Sequence, residues 1–185
     1  YAHPKGLFYG GDEDTWSNKT IRQIAERYLA NAERVVIIDI HTGLGAFANS
    51  EIILNSPEDS GEYRRASERW GEDVKTTVSG ESVSVHLDST LKLAFPRMLP
   101  GVEVTAVSQE FGTLLPREVF WALRSENWLY HHASKTHPDR DRIKHNLLRA
   151  FYPEDVQWKI RVWQQGRDTV KKTLAHLEAQ VAPAP

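Results

Sequence analysis

Two ionisable residues stand where strands of an α/β fold deliver side chains to a ligand. His41 follows the run Arg34-Val-Val-Ile-Ile-Asp-Ile40, and Glu110 closes the run from Val102 to Phe111. In open α/β sheets ligands sit at the carboxyl ends of strands. A histidine there can offer a neutral ring nitrogen to a metal. A carboxylate in the same crevice can take a proton from a metal-bound water and later return one to a leaving amine. Asp39 lies two residues before His41, so the period of a strand puts both on one face, where Asp39 can hold the imidazole in orientation. Each residue also has a plainer use. A lone histidine after a strand is often a hydrogen-bonded structural residue, most carboxylates near strand ends are solvated, and Asp39 can serve backbone donors in the following segment.

Other chemistries find less support. The chain has no cysteine, which removes disulfides, thiolate zinc sites and a Cys nucleophile. There is no Gly-x-Ser-x-Gly elbow and no full phosphate-loop or dinucleotide fingerprint. Gly43-Leu44-Gly45 reads as a turn rather than an anion cradle. His131, His132, His137 and His145 are close in sequence, but their spacing matches no standard zinc site, and they read as a polar helix end and loop. The six tryptophans, at 16, 70, 121, 128, 158 and 163, read as packing residues of helices rather than a stacking surface.

The elements that must position these residues alternate between helix and strand. Thr15 or Ser17 caps a predicted helix running to about Ala32, with Ile21, Ile24, Ala25, Tyr28 and Leu29 on one face. The β-branched run 34–40 predicts a central strand buried on both faces, as in parallel sheets, ending at a glycine-bearing loop that starts with His41. Glu51 to Leu54 predicts another strand, and Pro57 to Trp70 a charged surface helix. Residues 71–90 read as short strand or loop, and Leu91 to Met98 as a helix broken by Pro96. In Val102–Phe111, Val102, Val104 and Ala106 alternate with Glu103 and Thr105. Pro116 suits a first helical turn and opens a helix to about Tyr130. Helices follow over 139–151 and from Pro153 to about Glu178, and the tail 181–185 reads as a frayed end. This rhythm predicts an α/β fold with a mixed, mostly parallel sheet flanked by helices.

The 185 residues, 40% hydrophobic and 26% charged, make a single globular domain with a sizeable core. A net charge of −2 gives no bulk attraction to nucleic acid or an anionic membrane, so recognition falls to a local site. No apolar run approaches a membrane span and no signal peptide is visible. The expected setting is the cytoplasm.

From Ile38 to Gly45 (Ile-Asp-Ile-His-Thr-Gly-Leu-Gly) the chain resembles the zinc carboxypeptidase superfamily, which includes carboxypeptidase A and the aspartoacylase and succinylglutamate desuccinylase branch. The likeness is strongest to a largely bacterial branch known as a domain of unknown function. It also rests on Tyr1 to Gly11, Thr15-Trp16-Ser17, Glu110 to Thr113 and Ala150-Phe151-Tyr152-Pro153. The resemblance implies a zinc-dependent hydrolase of an amide bond, acting on a peptide C-terminus or an N-acyl amino acid. It puts the later zinc-ligating histidine at His41 and the catalytic general base and acid at Glu110. The superfamily's other ligand pair, His-x-x-Glu, has no counterpart here. The resemblance therefore implies that the chain is the C-terminal portion of a catalytic domain, inactive alone and completed by an N-terminal portion. The alternative is a binding module that keeps the fold without the chemistry.

Overall fold

The computed structural model describes residues 2–181. Tyr1, the first residue of one motif quoted above, and the tail residues 182–185 lie outside the described residues.

The helix α1, Trp16–Ile24, starts where the Thr15 side chain accepts the Asn18 N–H at 3.2 Å, and it widens into a π turn over Ala25–Leu29. Strand β1 spans Arg34–Phe47 and β2 spans Ser50–Leu54. Then follow α2 (Gly61–Trp70), the short strand β3 (Val74–Thr76), α3 (Leu91–Met98) and β4 (Glu103–Gly112). Three helices close the chain: α4 (Pro116–His132), α5 (Arg140–Phe151) and α6 (Val156–Val181). The Asp155 carboxylate accepts the Trp158 N–H at 2.7 Å, which explains why the last helix begins after Asp155 rather than at Pro153.

The strands form one sheet in the order β1-β4-β2-β3, with β1 and β4 parallel, β2 and β3 parallel, and β2 antiparallel to β4. The predicted class, α/β with a mixed, mostly parallel sheet packed by helices, is the class observed. Each face of the sheet carries its own core. On one side Val35, Val104 and Ala106 meet Ala25, Phe95 and Leu99 from the first and third helical segments. On the other, Ile52, Leu54, Val74 and Val107 meet Ala66 and Trp70 of α2.

Four sequence expectations are corrected. The run 34–40 is not a central strand: β1 pairs only with β4, and among the described residues no strand takes its other edge. Ile40 is 54% exposed as a result. Periodicity reports the apolar content of a strand, not how many neighbours it has. Second, β1 does not stop at His41. It runs on to Phe47 through Gly43 (φ 130°) and Gly45 (φ 103°), with a register break between Thr42 and Phe47. These two backbones are open chiefly to glycine, so the residues read as a turn bend the strand instead of ending it. Third, α3 is not broken at Pro96, which lies inside it. Only the bond that an N–H at 96 would give the Lys92 carbonyl is lost. Fourth, only two of the six tryptophans, Trp70 and Trp158, are fully buried, whereas Trp16, Trp121, Trp128 and Trp163 are largely exposed. No helix is long and apolar enough to cross a membrane among the described residues.

Candidate functional site

The parallel register of β1 and β4 sets Val35 beside Val104, Ile37 beside Ala106, Asp39 beside Ser108 and His41 beside Glu110. Paired residues of neighbouring strands share a face, so these eight form two adjacent rows on the side covered by α3. The rows are apolar at their amino ends and polar at their carboxyl ends. The same alternation that buries Val35 and Val104 therefore delivers Asp39, His41 and Glu110 to one crevice.

His41 Nε2 lies 2.8 Å from Asp39 Oδ2, while Nδ1 faces Glu110 Oε2 at 3.9 Å. The first contact is a hydrogen bond and the second is too long for one. Asp39 thus fixes the ring through one nitrogen and leaves the other directed at the Glu110 carboxylate. Glu110 is anchored by its other oxygen, which accepts the Leu44 N–H at 3.2 Å. That donor exists because β1 continues past His41. The Thr42 hydroxyl donates to the Phe151 carbonyl at 2.7 Å, and the same ring lies so close to Gly43 that a Cβ there would come within 2.8 Å of it.

Exposure differs along the crevice. The His41 side chain is half exposed, whereas that of Glu110 is only 8% exposed. Burial pushes the Glu110 pKa up, partly offset by the Leu44 N–H and the nearby His41 and Lys92 charges. The Asp39 hydrogen bond holds the His41 pKa above its ordinary value, against the opposing effect of partial burial. Lys92 is buried, and desolvation lowers its pKa while Asp39, Glu110 and Glu62 favour its charged form. It was not foreseen from sequence. Its signal was the spacing Lys92, Phe95, which places a lysine on the sheet-facing stripe of α3 one turn before a core residue.

A carboxylate-held imidazole with a second nitrogen facing the crevice fits one position of a zinc ligand set. It does not make a set: among the described residues no group of three or more His, Asp or Glu side chains could hold a metal. The histidines at 131, 132, 137 and 145 supply none either. His131 and His132 end α4, His137 stacks edge-on against Trp128, and His145 lies on exposed α5 surface.

No curated protein and no solved structure matches the chain. A family described as a protein of unknown function, DUF2817, matches residues 1–165, which includes both strands of the crevice. The chain belongs to the DUF2817 family.

Proposed function

We propose that this chain carries part of the catalytic centre of a zinc-dependent hydrolase of the carboxypeptidase kind, cleaving the amide bond of a peptide C-terminus or an N-acyl amino acid. One observation carries the reading. The register of β1 and β4 sets the His41 imidazole beside the Glu110 carboxylate, with Asp39 bonded to the far side of the ring. In this reading His41 contributes Nδ1 as one ligand, and the remaining ligands come from a separate segment or chain. The bound zinc would polarise the scissile carbonyl and activate water.

The protein's own part is proton handling. A carboxyl pushed up by burial is a better base than an ordinary one and a competent acid after accepting a proton. Glu110 takes the proton of the attacking water on the oxygen facing His41, while the Leu44 N–H holds its other oxygen. It then passes that proton to the departing amine. Asp39 keeps the imidazole from rotating and strengthens it as a donor to a cation. The half-exposed His41 side chain leaves that ligand position open to substrate.

The test is zinc content and turnover of the intact protein, against a panel of peptides and N-acyl amino acids. Zinc in stoichiometric amount should be lost with His41→Ala. Glu110→Gln should retain zinc and lose turnover by several orders of magnitude, since both proton transfers depend on that carboxylate. Unchanged turnover in Glu110→Gln removes the residue from the mechanism, and loss of the metal makes it a ligand instead. The lack of a three-ligand group among the described residues supports a second reading, a binding module without hydrolysis. Intact protein without zinc would favour it.

A further inference from the structure

A groove of about 1030 Å³ runs between α4 and α5, with neither His41 nor Glu110 in its wall. Its two sides differ in chemistry. Trp121, Ser125 and Trp128 stand at i, i+4 and i+7 on α4, and Arg142, Asn146 and Arg149 repeat that spacing on α5, so each trio forms one stripe along its helix. The tryptophans are 60% and 45% exposed, a large aromatic surface for a solvated helix pair. Arg124 on α4 and Lys5 from the N-terminal segment add two more cations to the lining.

The two acids of the lining, Asp139 and Glu118, are occupied. Asp139 accepts from Arg142 Nη2 at 3.0 Å and from Nε at 3.1 Å. Glu118 accepts the Leu115 N–H at 3.0 Å in the capping turn of α4, and Glu126 pairs with Lys144. Arg124, Arg149 and Lys5 have no carboxylate partner among the described residues. The segment 116–151 holds seven Lys and Arg against four Asp and Glu, in a chain whose net charge is −2. Positive charge is therefore gathered at this groove while the rest of the chain is acidic.

We propose that the groove binds a small anion bearing a planar ring. Its carboxylate or phosphate is taken by Arg149, Arg124 and Lys5, and its ring lies on Trp121 and Trp128. Guanidinium groups suit the fork of either oxyanion, and an indole face suits a flat apolar partner. The proposal is independent of the hydrolase reading, because none of the residues it uses belongs to the strand-end crevice.

The experiment is titration calorimetry with parallel tryptophan fluorescence, using phenyl phosphate, benzoate, inorganic phosphate and benzyl alcohol as probes. At least one of the two aromatic anions should bind saturably at a single site and perturb the fluorescence. Which of them binds more tightly identifies the oxyanion. Inorganic phosphate and benzyl alcohol each lack one feature and should bind weakly. Arg149→Gln and Arg124→Gln should each weaken the favoured probe about tenfold, the scale of a lost charged hydrogen bond. Trp121→Leu should remove most of the preference for phenyl phosphate over inorganic phosphate. These side chains are exposed, so circular dichroism should show the fold intact in every variant. Absence of saturable binding by either aromatic anion overturns the proposal, as does unchanged affinity in both arginine variants. Equal affinity for inorganic phosphate overturns the role of the tryptophans.

Discussion

β1 and β4 lie side by side, parallel and rich in β-branched residues, yet their surroundings are opposite. After Glu103 every residue of β4 is buried, because β1 and β2 pair with its two edges and helices cover both faces. Among the described residues β1 has one neighbouring strand, and only Val35 and Gly43 in it are buried. The candidate site lies on the boundary between these environments. Its carboxylate belongs to the enclosed strand, where burial can raise a pKa, and its imidazole to the open one, where a ligand can reach it. Among the described residues the outer edge of this long apolar strand is unpaired, an open template for pairing, which supports the proposal that another segment or chain completes the site beside β1.

The contrast is sharpest where the strands end. A Cβ on Gly112 of β4 would lie 2.0 Å from the Ala46 carbonyl oxygen, whereas one on Gly45 of β1 would meet nothing closer than 3.8 Å. Gly112→Ala should therefore cost more than about 4 kcal/mol, since backbone must move to relieve it. Gly45→Ala should cost about 1–3 kcal/mol, from the strained φ alone. Urea midpoints measure both, and a Gly112→Ala protein as stable as the parent would refute the close crossing of the two strands. The phenylalanines give the next largest effect. Phe111 of β4 is fully buried and its truncation to Ala should cost about 3–5 kcal/mol. Phe47 of β1 is 46% exposed and Phe47→Ala should cost about 1 kcal/mol. Equal costs would mean that something covers β1 in solution and would break the comparison.

This contrast also marks the limit of sequence reading. Both strands were legible from their β-branched runs, and the expectation that His41 and Glu110 share a crevice came from placing both at strand ends, although β1 runs on past His41. The position of each strand in the sheet was not legible, because Val-Val-Ile-Ile looks the same beside one neighbour or two. Nor was the continuation of β1 through Gly43 and Gly45. Glycines at positive φ serve turns and bent strands alike, and the pairing of Phe47 with Gly112, distant in sequence, carries the strand on here. The Leu44 N–H that anchors Glu110 was hidden for that reason. Lys92 was hidden because its role depends on the stacking of α3 over two strands.

A third test uses acidity. Burial raises the Glu110 pKa in the folded protein, so the native state holds that proton more tightly than the unfolded chain does. The resulting stabilisation is complete below the ordinary carboxylate range and is lost as pH rises through the raised folded value. Glu110→Gln keeps the shape and an acceptor for the Leu44 N–H but carries no charge. The parent should therefore lose stability relative to Glu110→Gln as pH rises from below the carboxylate range to neutrality. His41, Asp39 and Lys92 face residue 110 in both proteins, so the difference between their denaturation curves reads the Glu110 charge together with its pull on His41 and Lys92. A parent that gains stability over that window would mean that the local cations outweigh burial.

The smallest effect is expected on the open side. The hydrogen bond from Asp39 is the main cause of the raised His41 pKa, so Asp39→Asn should lower it, as followed by the imidazole carbon-bound protons in an NMR titration. The sign for stability follows from the same shift. A histidine with a raised folded pKa stabilises the protein below the ordinary histidine range, and that contribution fades as pH rises through the folded value. The parent should thus exceed Asp39→Asn most at acidic pH, with the gap narrowing above the His41 pKa. The gap should be small because both side chains reach solvent, which screens their interaction. A His41 pKa unmoved by Asp39→Asn would show that the imidazole is free to turn. β1 would then offer a mobile donor instead of a held one, and the difference between an enclosed base and a positioned ligand would rest on β4 alone.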